Sequence, residues 1–191
     1  MELFYLNLPK KFMRNINVFY ILLPLIMLLS CNSAQKDEVT LEKQSSTDEV
    51  TLTLEASFLQ NDKFQIYYTK EPNVELSGDL VIDKYVYGND QMQKIDFKFP
   101  KGDIPYKIRL DLGENMEQKN ISVKNISIQY MDQVINGDDG QFMKSWTTNE
   151  SLVYDPSRFI YNIKLINGLH DPLFITSVDM EKKLLKLRKD D

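Results

Sequence analysis

One cysteine, one histidine and one tryptophan are all that the 191 residues contain of those types. A single cysteine rules out an internal disulfide and any metal site built from several cysteines. A single histidine, His170, removes most metalloenzyme and triad chemistries, and no Gly-x-Ser-x-Gly elbow is present for it to serve. Glycine and proline are scarce at 7 each, which excludes collagen-like and low-complexity chains. Basic residues are outnumbered: 23 Lys and Arg stand against 28 Asp and Glu, a formal net charge of −5. Such a chain repels phosphate backbones, so no nucleic acid is expected as a partner. Phosphate loops, dinucleotide fingerprints and zinc spacings are missing as well. No apolar run reaches the roughly 20 residues of a membrane span. What remains is an ordinary globular mixture, 42% hydrophobic and 27% charged, enough for one domain plus a leader.

The longest apolar run is Val18 to Leu29, "VFYILLPLIMLL", preceded by Lys10, Lys11 and Arg14. A basic segment followed by a short apolar one has the layout of a secretory signal. "MRNINVFYILLPLIMLLSC" is complete by itself, which makes Met13 a candidate true start. Leu28-Leu29-Ser30-Cys31 resembles the bacterial lipobox: an aliphatic residue, a small residue, then cysteine. That resemblance implies a signal peptide over 1–30, cut between Ser30 and Cys31, with a diacylglyceryl group on the Cys31 thiol and acylation of the new amino terminus. More than one acyl chain gives stable membrane anchoring. A plain secretory signal or an anchor helix with a chance cysteine is the alternative. No aspartate follows Cys31 directly, and Asp37-Glu38 resembles the surface-export signal of Bacteroidota lipoproteins. The implied location is the outer membrane, lipid-anchored and exposed at the cell surface, with a periplasm-facing anchor as the alternative. Residues 31–48 are polar and aperiodic and read as a flexible tether, in which "DEVTL" occurs twice.

From 49 to 191 the pattern changes to period-2 alternation, the mark of half-buried strands. Ile95, Phe97 and Phe99 share one face, as do Tyr106, Ile108, Leu110 and Leu112. Phe64, Ile66 and Tyr68 form a third set, and Phe159, Tyr161, Ile163 and Leu165 a fourth. In "ISVKNISIQY" the alternation of Ile121 and Val123 slips by one before Ile126, Ile128 and Tyr130, which predicts a bulge near Lys124-Asn125. Turn residues separate the runs, among them Gly88-Asn89-Asp90, Gly113-Glu114-Asn115 and Asn136-Gly137-Asp138-Asp139-Gly140. Only the tail Met180–Asp190 is ambiguous between a strand and a short helix. Many such strands without intervening helices predict an all-β, antiparallel β-sandwich. "FQIYYTKEP", "QKIDFKFP", "IRLDLGE" and "ISVKNISIQY", in that order between Phe64 and Tyr130, resemble jelly-roll sandwiches of the galactose-binding-like type. That resemblance implies a binding module.

Candidate chemistry is thin. No acid sits in a recognisable catalytic motif, and no catalytic residue is expected. Sugar binding uses an aromatic platform beside planar polar side chains. Trp146, with Asn149 and Tyr154 near it, is one candidate platform, and a lone tryptophan buried in the core is the plain alternative. Arg109 and Asp111 share an outward strand face, as a ligand contact or as a cross-strand ion pair. Asp138 and Asp139 offer oxygen ligands for a structural calcium, although the loop lacks EF-hand spacing. His170 reads as a surface or turn residue. The expected function is non-catalytic binding of a glycan or other envelope component by a lipid-anchored sandwich. The alternative is a structural or protein-interaction accessory lipoprotein of an outer-membrane complex.

Overall fold

The computed structural model describes residues 48–188. Ser30, Cys31, the leader and nearly all of the tether lie outside the described residues.

Eleven strands and two short helices follow one another in this stretch. The strands are β1 (Thr51–Phe58), β2 (Asp62–Thr69), β3 (Val81–Val86), β4 (Asn89–Lys98), β5 (Lys107–Asp111), β6 (Asn120–Tyr130), β7 (Gln133–Ile135), β8 (Trp146–Thr148), β9 (Leu152–Asp155), β10 (Ile160–Ile163) and β11 (Leu173–Thr176); the helices are α1 (Phe142–Ser145) and α2 (Val178–Leu187). One sheet runs β4-β1-β6-β10-β9, with β7 also paired to β6; the other runs β3-β2-β5-β11-β8. All pairings are antiparallel, and the two sheets pack face to face as a β-sandwich. The fold class expected from alternation is the one found.

The core is where alternation placed it. Leu52, Leu54, Ile95, Phe97, Ile126 and Ile128 of the first sheet meet Phe64, Ile66, Ile108, Leu110 and Phe174 of the second. Each large side chain buried there contributes roughly 1.5–3 kcal/mol. The predicted bulge is present: Glu55 pairs with Asn125 and Ala56 with Val123, leaving Lys124 as the extra residue. The extra residue restores the inward direction after the slip, so Ile121 and Ile126 are both buried.

One expectation is corrected and one ambiguity is resolved. Phe159 and Leu165 were placed on an inward face with Tyr161, but they are 74% and 49% exposed. The strand begins only at Ile160, after a turn that leaves Phe159 at φ 55°, so Ile160 and Tyr161 are the buried pair instead. The ambiguous tail forms helix α2, whose N-cap Ser177 accepts a hydrogen bond from the Met180 N–H at 3.3 Å. Its buried Met180, Leu184 and Leu187 recur at helical spacing, and the Lys-rich remainder faces water.

Register fixes which loops share an end. Thr51 lies opposite Lys98 and Gln129, and the Tyr130 hydroxyl donates to Asp48, so the chain enters the sandwich there. Arg188 closes the same end by donating to the Lys70 and Ile104 carbonyls. At the opposite end the buried Gln118 accepts from the Leu59 and Gln60 N–H groups at 3.0 and 2.8 Å. There too the Ile163 and Lys164 N–H groups donate to Lys119 and Ser151 carbonyls, both at 2.8 Å. The loops 113–119, 149–151 and 164–171 therefore cluster away from Asp48.

Candidate functional site

A depression opens in the described surface beside the bulge. β6 pairs with β10 only at Asn120 and Ile121, and with β7 only from Ile128 onward. Between these ladders its edge is covered by the loop after β7. Buried Asn125 holds that loop: its Oδ1 accepts the Gly137 N–H at 3.1 Å and its Nδ2 donates to Asn136 Oδ1 at 3.0 Å. Gly137 is required for this approach, because a Cβ there would lie 2.6 Å from the Ile126 carbonyl oxygen and from the Phe142 Cβ.

The gap left beside the loop measures about 510 Å³. Val123, Tyr154, Phe159 and Met143 supply apolar lining, and Lys124 and Arg158 supply cations. Asp139 lines it too, from a left-handed turn at φ 54°. Phe159 is unusual twice over: a bulky aromatic at positive φ, and exposed. Such a conformation costs of order 1–3 kcal/mol and persists only where its surroundings hold it. They do so through Asp155, whose carboxylate accepts from Ser157 N–H at 3.0 Å and Ser157 Oγ at 2.6 Å, closing the turn. Those bonds hold the Asp155 carboxyl below the ordinary aspartate range. Behind the lining, Tyr154 packs on Tyr161 (5.0 Å between ring centres) and Tyr161 meets Phe174 edge-on at 5.1 Å, so the aromatic wall is tied into the core.

Next to it, Glu55 is only 8% exposed although it faces outward from β1. Lys124 reaches it from β6 at 3.0 Å and Lys94 from β4 at 3.4 Å. The Lys124 hydrogen bond, helped by the Lys94 charge, holds the Glu55 carboxyl below the usual glutamate range despite its burial. A carboxylate with a lowered folded-state pKa stabilises the fold above its unfolded-state value and loses that contribution as pH falls through the folded value. Thermal melts from about pH 5 to about pH 3 are therefore expected to fall more steeply for the native chain than for Glu55→Gln. Parallel slopes would remove Glu55 from the acid response.

The residues singled out in the sequence do not form one site. Trp146 is 3% exposed, part of the core, and offers no ring face to a ligand, so the plain alternative holds. Tyr154 and Asp139 line the depression. Asp138 accepts from Asn136 Nδ2 at 2.8 Å within its own loop. No group of three or more His, Cys, Asp or Glu among the described residues is placed to hold a metal ion. Arg109, Asp111 and Asn149 meet elsewhere. Arg109 grips Asp111 with two parallel bonds of 2.6 and 2.8 Å along its own strand, not across strands, and reaches Asp171 at 2.9 Å. Its guanidinium lies 5.6 Å from the centre of the Tyr67 ring. Burial, reinforced by the Asp171 and Glu114 charges, pushes the Asp111 carboxyl up in spite of Arg109. Asn149 joins through Asp171, donating to its carbonyl at 2.6 Å.

Phe159, Arg158 and Met143 were missed. Asp155-Pro156-Ser157 is a turn signal, and reading it would have ended the alternation before Ile160 and left Phe159 outside the strand. Met143 had no comparable signal, because only the Gly137 contact brings its loop against β6.

Compared with known proteins, the chain matches no protein-family model, no curated protein and no solved structure.

Proposed function

We propose that this protein is a lipid-anchored lipoprotein of the bacterial envelope, displayed at the cell surface through Cys31, whose sandwich holds a glycan without doing chemistry on it. The observation that carries the glycan reading is the exposed Phe159 ring, held in a costly backbone conformation beside Tyr154 at the mouth of the 510 Å³ depression. A sugar ring presents an apolar face to such a platform and hydroxyls to its rim. Ser122, Lys124, Arg158 and Asp139 supply both donors and acceptors at that rim. The anchor reading rests on the lipobox-like Leu28–Cys31 and the polar segment that follows it.

A glycan array probed with the full chain in mild detergent tests the reading. Saturable binding is expected, and Phe159→Ala and Tyr154→Ala should each weaken it about tenfold or more, equivalent to about 1.4 kcal/mol. Binding that survives both substitutions would move the site elsewhere, and an array silent for host and bacterial polysaccharides alike would reject the glycan. Radiolabelled palmitate incorporation, present in the native chain and lost in Cys31→Ser, tests the anchor separately.

A further inference from the structure

A second cavity, of about 290 Å³, opens at the end of the sandwich away from Asp48. It shares no lining residue with the depression beside Phe159. Its polar lining is acceptor-rich. The Asn149 Oδ1 is buried without a hydrogen-bond partner. The bond from Asn149 Nδ2 to the Asp171 carbonyl fixes which end of that amide is the oxygen. Asp171 already binds one guanidinium, that of Arg109, through Oδ1. The exposed Glu150 carboxylate engages no side-chain partner among the described residues. Ile166 and Leu169 form an apolar wall, and Leu169 is exposed. Leaving the buried Asn149 oxygen unsatisfied is costly, and the group that complements it and the exposed carboxylates carries several donors and positive charge on an apolar stem.

We infer that this notch receives an arginine side chain of a partner protein. The planar guanidinium offers five donors in a fixed fork and is less strongly hydrated than an ammonium, which suits acceptors set around a small cavity. Its stem lies along Leu169. The surroundings carry the same sign as the notch: Asp90, Glu114 and Glu117 are exposed on the same end, against Lys119 and Lys164. A second copy of this chain would bring like charge to like charge, so a basic partner is the occupant that fits. Asp48 and Arg188, where the described residues begin and end, both lie at the other end. None of this depends on glycan binding.

The test is amide chemical-shift mapping on the isotope-labelled full chain in detergent micelles, titrated with the blocked tripeptide acetyl-Leu-Arg-Leu-amide. The same peptide with citrulline, which keeps the shape and removes the charge, is the comparator. Saturable shifts confined to 149–151 and 166–171 are expected, with affinity in the millimolar range for so small a probe. The citrulline peptide should bind about tenfold more weakly. Glu150→Gln and Leu169→Ser, both exposed positions, should each weaken the arginine peptide at least about threefold, while Lys101→Gln at the opposite end should not. Equal response to the two peptides, shifts centred elsewhere, or no shift up to about 10 mM peptide would each overturn the inference.

Discussion

Gly113→Ala is expected to lower the unfolding free energy by about 4 kcal/mol, from backbone strain and lost charge-assisted hydrogen bonds together. Gly113 sits at φ +91°, a conformation in which a side chain is strained whatever the space. Space is also absent, because a Cβ there would lie 2.1 Å from the Asp62 carboxylate. That carboxylate is the hub of its end of the sandwich. It accepts from the Lys63 N–H at 2.8 Å, the Glu114 N–H at 3.1 Å and the Asn115 N–H at 2.9 Å, joining the start of β2 to the turn after β5. Hydrogen bonds to a charged acceptor contribute about 1.5–3 kcal/mol each, so displacing Asp62 costs more than the strain alone. Urea unfolding would show the loss as a lower midpoint at unchanged slope. Asp62→Ala combined with Gly113→Ala should cost less than the sum of the two, because the clash disappears with the carboxylate. A loss below about 1 kcal/mol for Gly113→Ala would mean that the turn rearranges freely.

Phe174→Ala carries the other large effect, about 3–5 kcal/mol, the usual range for emptying a buried aromatic site. Phe174 belongs to β11 in the second sheet, yet its ring meets Tyr161 of the first sheet at 5.1 Å and Phe142 of α1 at 6.4 Å. It thus closes the sandwich and also backs the wall that ends in Tyr154. Phe174→Leu keeps most of the volume and is expected to cost less than about 2 kcal/mol. The two variants separate packing from binding. At a temperature where both remain folded, the alanine variant should lose glycan affinity more than the leucine variant. Equal affinities would show that the Tyr154 wall stands without its support.

Where one face of a strand is buried, the chain spells the fold out. Leu52, Phe64, Phe97, Ile108 and Leu110 alternate with polar neighbours because water and core lie on opposite sides of the same ribbon. Even the bulge at Lys124 was legible, as a parity error in that alternation. The site was much less so. Trp146 drew notice for its rarity, but rarity says nothing about depth, and the edge between α1 and β8 put it inside. Arg109 and Asp111 were recognised as sharing a face, whereas Asp171 joins them from 60 residues on in round terms, a closure that no local spacing announces. Phe159 was misread because a hydrophobic residue next to a strand looks like part of it. The depression exists only where two ladders on β6 fail to meet, a fact about pairing partners rather than about any one segment.

The positions of the two chain connections have a mechanical consequence. With entry at Asp48 and the notch at the far end, a pull between them runs along the strands. β1 would take that load first, and at 3.3 Å per residue its 8 residues span about 26 Å. Its ladders to β4 and β6 lie across the pull, so their hydrogen bonds resist in shear, together rather than one after another. A pull between Asp48 and Arg188, which share one end, has no such ladder in its path and would peel α2 away first. The same domain is stiff when loaded from end to end along its strands, and soft when tugged between Asp48 and Arg188.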